Sequence, residues 1–196
     1  MDAIETLQNL LKRLPGMGEK SAARLCYHLI RTDDSYNKAL AEAISQLKEK
    51  IHPCPICGCY TEEEKCRYCT DTERDQTTLC IVEEPQDVLS IASSGAYNGL
   101  FHVLGGAINP LGGVGPENLS FPLLMKRINE GNFREIIIAT NPTEEGDTTA
   151  LYIRHLLKDK PEITLTRLAS GLPIGGDLGY ADKLTLARSM RGRIRL

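Results

Sequence analysis

The chain has 196 residues, 41% hydrophobic and 25% charged, with no Trp and three Phe, which permits one moderate domain or a modest core with small modules attached. A formal net charge of −3 excludes a uniformly basic nucleic-acid binder, so any DNA contact must come from a local basic patch or from several copies facing one ligand. No stretch approaches the roughly 20 apolar residues that span a bilayer and no leader pattern opens the chain, so a cytoplasmic location is expected, where disulfides are rare and seven cysteines need another explanation.

Ile4, Leu7, Leu10, Leu11 and Leu14 recur at helical spacing behind Asp2, an N-cap by residue type. Pro15-Gly16 breaks that helix. A second helical pattern runs from Glu19 to about Ile30, and a third from about Ser35 to Lys50 with Leu40, Ile44 and Leu47 on one face. The joint between the first two resembles the helix-hairpin-helix motif of DNA repair proteins, apolar-x-Gly-apolar-Gly, at Leu14-Pro15-Gly16-Met17-Gly18. Gly16 and Gly18 allow a tight turn and close backbone approach, and the next helix turns free N–H groups and its positive end toward a phosphate. Lys20 and Arg24 lie four apart and project from one helical face. These four residues form the expected DNA site, reading backbone rather than bases; a plain Pro-Gly turn with solvated cations is the alternative.

Cys54-Pro55-Ile56-Cys57 and Cys66-Arg67-Tyr68-Cys69 are two CxxC pairs eight residues apart. Two such turns close a tetrahedron around one zinc ion and leave no open position, so the site is expected to be structural. Cys59 is a competing ligand, though CxxC geometry favours Cys57. Cys26 and Cys80 read as core. The stretch 61–75 is net acidic, whereas Lys183, Arg188, Arg191, Arg193 and Arg195 make the chain's end basic. The zinc knuckle therefore reads as a staple between modules and not as a DNA-reading finger.

From Thr77 the pattern changes. Residues 77–82 and 135–140 are apolar runs typical of buried strands, with weaker strands at 100–104 and 162–168 and helical patterns at about 86–95, 117–130 and 145–158. Such alternation implies an α/β fold with a parallel sheet covered by helices. The Gly-rich stretch 105–115 reads as a loop, since no Gly-Lys-Ser/Thr ending follows it. Glu83 ends the first strand, and Asn141-Pro142-Thr143-Glu144-Glu145-Gly146-Asp147 follows the third. The pair resembles the Toprim domain of topoisomerases and bacterial primases, which carries Glu, then Asp-x-Asp, then Glu-Gly-Glu. Glu83 matches the first acid and Glu145-Gly146-Asp147 the last group, but Asn141 and Thr143 stand at the Asp-x-Asp positions. Two neutral side chains cannot supply the paired charge a catalytic magnesium needs, and no nucleophilic tyrosine or triad is evident. No catalytic residue is assigned. Glu83, Glu84, Glu144, Glu145 and Asp147 remain for weak metal binding, for a basic partner, or as solvated loop residues.

Hairpin, four-cysteine knuckle and degenerate Toprim occur in one order, followed by Ser170-Gly171-Leu172-Pro173-Ile174-Gly175-Gly176-Asp177-Leu178 and Tyr180-Ala181-Asp182. This set resembles the RecR family of bacterial recombination mediators across essentially the whole chain. The resemblance implies domains at 1–52 (helix-hairpin-helix), 53–76 (four-cysteine zinc finger), 77–170 (Toprim) and 171–196 (a Walker B-like segment that contributes to assembly). It further implies a nucleoid-associated, non-enzymatic ring tetramer that clamps DNA. Acting with RecO and RecF, such a protein helps load RecA onto single strands coated by single-strand-binding protein. The rival readings are a small Toprim nuclease or primase fragment and a zinc-dependent transcription regulator.

Overall fold

The computed structural model describes residues 2–169, 171–172 and 174–193. Ser170 and Pro173 of the C-terminal motif, and Arg195 of the basic end, lie outside them. The chain forms two compact units, Met1–Ile51 and His52–Leu196. None of the helices described is long and apolar enough to cross a membrane.

The first unit is three helices: α1 (Ala3–Leu11), α2 (Glu19–Arg31) and α3 (Asp34–Lys50). Asp2 caps α1, its carboxylate accepting the Glu5 N–H at 2.8 Å. Ala22 and Cys26 of α2 are the only buried residues among those described here, and the Cys26 thiol points to the Ile4 carbonyl at 4.0 Å. The Asn37 carboxamide donates to the Leu29 carbonyl at 2.8 Å and ties the start of α3 to α2. Leu40, Ile44 and Leu47 do share a face of α3, but with Tyr36 they remain exposed.

The second unit opens with a knuckle: β1 (His52–Pro53) pairs antiparallel with β2 (Tyr60–Thr61), and a short helix α4 (Arg67–Thr70) follows. Then come β3 (Asp75–Val82), α5 (Pro85–Ser93), β4 (Gly99–Val103), α6 (Phe121–Glu130), β5 (Glu135–Ala139), α7 (Glu144–Leu156) and β6 (Thr164–Arg167). All four long strands run parallel in the order β4-β3-β5-β6. The expected strands and helices are present within a few residues. The C-terminal segment adds an unforeseen helix, α8 (Lys183–Arg191), capped by the Asp182 carboxylate on the N–H groups of Leu184 and Thr185.

Strand alternation sends Leu79 and Ile81 to one face of the sheet and Cys80 and Val82 to the other. The first face packs under α6 through Leu124 and Ile128, and under α7 through Ile153, with Leu157 just past its end. The second face is covered by Val88 of α5 and by the knuckle itself, since Cys54, Cys57, Cys66 and Tyr68 share a core with Cys80, Phe101 and Val103. Tyr68 meets Phe101 edge-on at 5.3 Å between centroids. A parallel sheet must be covered on both faces, and here a metal knuckle does part of what a helix usually does.

His102 of β4 lies fully buried. The Ser120 hydroxyl donates to the Val103 carbonyl at 2.6 Å, so the 3.0 Å contact between His102 Nε2 and Ser120 Oγ requires the proton on Nε2. Nδ1 is then a bare acceptor with no hydrogen-bond partner among the described residues. Burial, and next the charge of Arg127, push the imidazole down to about 3.

Candidate functional site

The chain reverses between α1 and α2 through Gly16, whose φ of +74° lies in the left-handed region that glycine tolerates. Gly18 is the N-cap of α2 with extended backbone, and no side chain caps the helix. The first intrahelical bond is Ala22 N–H to the Gly18 carbonyl at 2.9 Å, so the amides of Glu19, Lys20 and Ser21 end α2 without a capping group. A Cβ at Gly18 would meet nothing within 4 Å. The fold therefore does not demand glycine there, while a ligand drawn against the backbone would. Lys20 and Arg24 are both exposed. Lys12 and Arg13, which sequence reasoning passed over, are exposed just ahead of the turn; their signal was a basic pair one residue before Pro15-Gly16. Among the described residues the ion pairs all involve Asp147, so these four cations have no carboxylate partner.

The Sγ atoms of Cys54, Cys57, Cys66 and Cys69 lie within 4.8 Å of one another, and those of Cys57 and Cys66 are 3.4 Å apart. Four sulfurs about 2.3 Å from one ion would stand close to such separations. Backbone amides already point at the sulfurs: Cys59 N–H toward Cys57 at 3.5 Å and Cys66 N–H toward Cys54 at 3.4 Å, the outer support thiolate ligands receive. Crowding sets the thiols against one another: the hydrogen bond with Cys66 holds Cys57 up, and the same bond pulls Cys66 down. A divalent cation resolves that conflict by replacing the protons. Cys59 is buried but stands outside the set of four. Cys80 and Cys26 are buried in the cores of their own units, and burial pushes the Cys80 thiol up to about 12. Gly58, at φ +77°, lets the knuckle lie on β4: a Cβ there would come 3.0 Å from the Val103 carbonyl, whose own N–H donates to Cys57 O at 2.7 Å.

At the carboxyl ends of β3 and β5, where open α/β sheets place their ligands, the acids are engaged internally. Glu83 is buried, and its two oxygens accept the Asn141 backbone N–H at 2.9 Å and the Asn141 carboxamide at 2.6 Å. Thr143 caps α7 by accepting the Gly146 N–H at 3.1 Å, and the Thr140 hydroxyl donates to the Gly146 carbonyl at 2.9 Å. A Cβ at Gly146 would fall 2.0 Å from the Asn141 carbonyl and 2.9 Å from Glu83 Oε1, so only glycine lets α7 close onto this pair. Asp147 is held by Arg167 at 2.7 Å and by Arg188 of α8 at 2.9 Å. Glu84 is half-buried, its N–H donating to the Asp87 carboxylate at 2.9 Å. Glu144 is exposed and Glu145 half-buried. The two neutral positions thus have distinct duties: Asn141 satisfies the buried glutamate and Thr143 starts a helix. Asn141→Asp would set two carboxylates against each other in place of a 2.6 Å hydrogen bond, an expected loss of about 1–3 kcal/mol. Thermal denaturation with and without millimolar magnesium checks this; the variant alone should gain stability from the ion.

Family models match the chain end to end. One described as RecR, helix-hairpin-helix covers residues 4–48, and one for the RecR four-cysteine zinc finger domain covers 51–71. A Toprim domain model covers 77–169 and a RecR C-terminal model 171–194. The Recombination protein RecR of Treponema denticola is 58% identical over 195 residues, 100% of this chain and 100% of its own. That of Treponema pallidum is 52% identical over 97% of this chain and 94% of its own. That of Moorella thermoacetica is 46% identical over 100% and 98%. With the zinc-finger model lying over the thiol cluster, Cys54, Cys57, Cys66 and Cys69 are the ligands of one structural zinc ion.

Proposed function

The chain belongs to the RecR family, and from that premise we propose that it serves recombinational DNA repair as a non-catalytic clamp on DNA. The observation that carries this reading is the uncapped start of α2, with bare backbone at Gly16 and Gly18 and unpaired cations at Lys20 and Arg24. Amides and cations arranged this way suit phosphates along a backbone and not base edges. Lys20→Ala with Arg24→Ala is expected to weaken DNA binding and to lower the log-log salt slope by about 0.9 for each duplex phosphate left unneutralised. Unchanged affinity and slope by fluorescence anisotropy at two salt concentrations would remove the hairpin as the DNA site.

The clamp is a homo-oligomer, a ring of four copies with hairpins toward the DNA. In support, Leu14, Tyr27, Ile30, Tyr36, Ile44 and Leu47 of the first unit are exposed while, among its described residues, only Ala22 and Cys26 are buried, and helices of this size owe their stability to packing an apolar face. Four copies also reconcile a chain of net charge −3 with DNA binding, because linked weak contacts act at high effective concentration. The four domains follow the divisions 1–52, 53–76, 77–170 and 171–196, and the clamp works in the nucleoid of the cytoplasm. It acts with RecO and RecF to help load RecA onto single strands coated by single-strand-binding protein. RecO, whose DNA-binding surfaces would be basic, meets the acidic Toprim loop, where Glu144 and Glu145 are the most available acids. The non-catalytic reading is supported by Glu83 being committed to Asn141 and Asp147 to two arginines. Magnesium-dependent cleavage, ligation or primer synthesis by the clean protein would overturn it.

A further inference from the structure

The loop between β4 and α6 ends in an apolar side chain that its turn does not require. Asn109 and Val114 exchange two backbone hydrogen bonds of 2.9 Å, Gly113 N–H reaches the Pro110 carbonyl at 3.2 Å, and Gly112 N–H reaches the Asn109 carboxamide at 2.8 Å. Asn109, Pro110 and the two glycines supply all the turn chemistry, with Gly113 at φ +75°. Position 111 has no such duty, yet it holds leucine with its side chain fully exposed. An ordered loop loses little freedom on docking, and a buried leucine would recover hydrophobic stabilisation forgone in solvent.

This loop is fixed to the acidic end of the sheet. Gly105 and Gly106 N–H donate to the Glu83 carbonyl at 2.9 and 3.0 Å. Ile108 N–H donates to Thr149 Oγ1 at 2.8 Å, and that hydroxyl donates to the Glu145 carbonyl at 2.7 Å. Leu111 follows Ile108 by three residues, within about 11 Å, whereas an ordinary interface of about 800 Å² per partner extends roughly 30 Å across. Leucine and acids therefore fit under one partner. Glu144 and Glu145 have no ion-pair partner among the described residues.

We propose that Leu111 is the apolar anchor of a docking surface whose charged part is Glu144 and Glu145, and that its occupant is a basic protein with an apolar socket between cationic side chains. The proposal rests on the acidic-loop reading above. A DNA backbone would be repelled by the two carboxylates and offers no socket. A second copy applied face to face would set glutamates against glutamates.

The test uses the full-length zinc-loaded chain and purified RecO as probe, by titration calorimetry. Leu111→Ser is expected to weaken RecO binding at least about tenfold, Leu111→Met to stay within about threefold, and Glu144→Lys with Glu145→Lys to abolish it. Zinc content, solution mass and DNA affinity of Leu111→Ser should match the parent. Wild-type RecO affinity in Leu111→Ser, with charge reversal still abolishing binding, overturns the anchor and leaves the acidic-loop reading standing. Charge reversal without effect overturns that reading itself. A changed solution mass in Leu111→Ser assigns the leucine to contact between copies and overturns the proposal.

Discussion

Cys66→Ser is expected to lose the zinc ion and to unfold much of the second unit, with DNA binding falling as a consequence. The knuckle is continuous with the core: Cys54, Cys57 and Cys66 pack with Cys80, Val82, Phe101 and Val103, and Val103 N–H donates to Cys57 O at 2.7 Å. Losing the ion therefore uncovers one face of a parallel sheet. Structural zinc sites contribute apparent binding free energies of about 10–16 kcal/mol in isolated fingers at neutral pH. That is as large as the usual net stability of a whole domain, about 5–15 kcal/mol. Metal content per chain, circular dichroism melting and DNA affinity should fall together. A variant without zinc that melted like the parent would show the ion to be dispensable for the fold.

The second large effect comes from His102. Its folded-state value of about 3 lies below the ordinary 6.5, so between those values the unfolded chain holds a proton that the folded chain refuses. Stability from this group is intact above pH 6.5 and drains as pH falls toward 3, on the order of 5 kcal/mol in all. The causes are burial first and the charge of Arg127 second, and protonation would also place a donor at Nδ1 without an acceptor inside the sheet's core. His102→Gln, which keeps a donor for Ser120 but cannot titrate, should flatten that acid limb in denaturant titrations between about pH 4 and pH 7. Acid also strips zinc from parent and variant alike, so the difference between them isolates the imidazole. Superimposable limbs would dismiss His102 as the acid-sensitive group.

Much of this was legible locally. The apolar runs at 77–82 and 135–140 marked strands, Asp2 marked a helix start, and two CxxC pairs marked a metal site. What escaped depends on contacts between residues far apart in the chain. Asn141 read as the absence of an acid, and only the fold shows it serving Glu83 58 residues away. Asp147 read as a free carboxylate, whereas Arg167 and Arg188 reach it from β6 and α8. The strand order and the knuckle's place over the sheet have no local signal. The periodicity of α3 marked an apolar face correctly but was silent on what covers it.

The hydrogen bonds between Asn141 and Glu83 have a consequence for how this protein is governed. Sites that share the Toprim plan are completed by a diffusible ion, and their readiness follows its supply. Here an amide carried by the chain itself closes the gap at 2.6 Å, so the strand ends and the acidic turn beside them hold one shape from the moment of folding. On the docking proposed above, that turn needs no ion to take its shape, and whatever decides when it is used arrives with the partner.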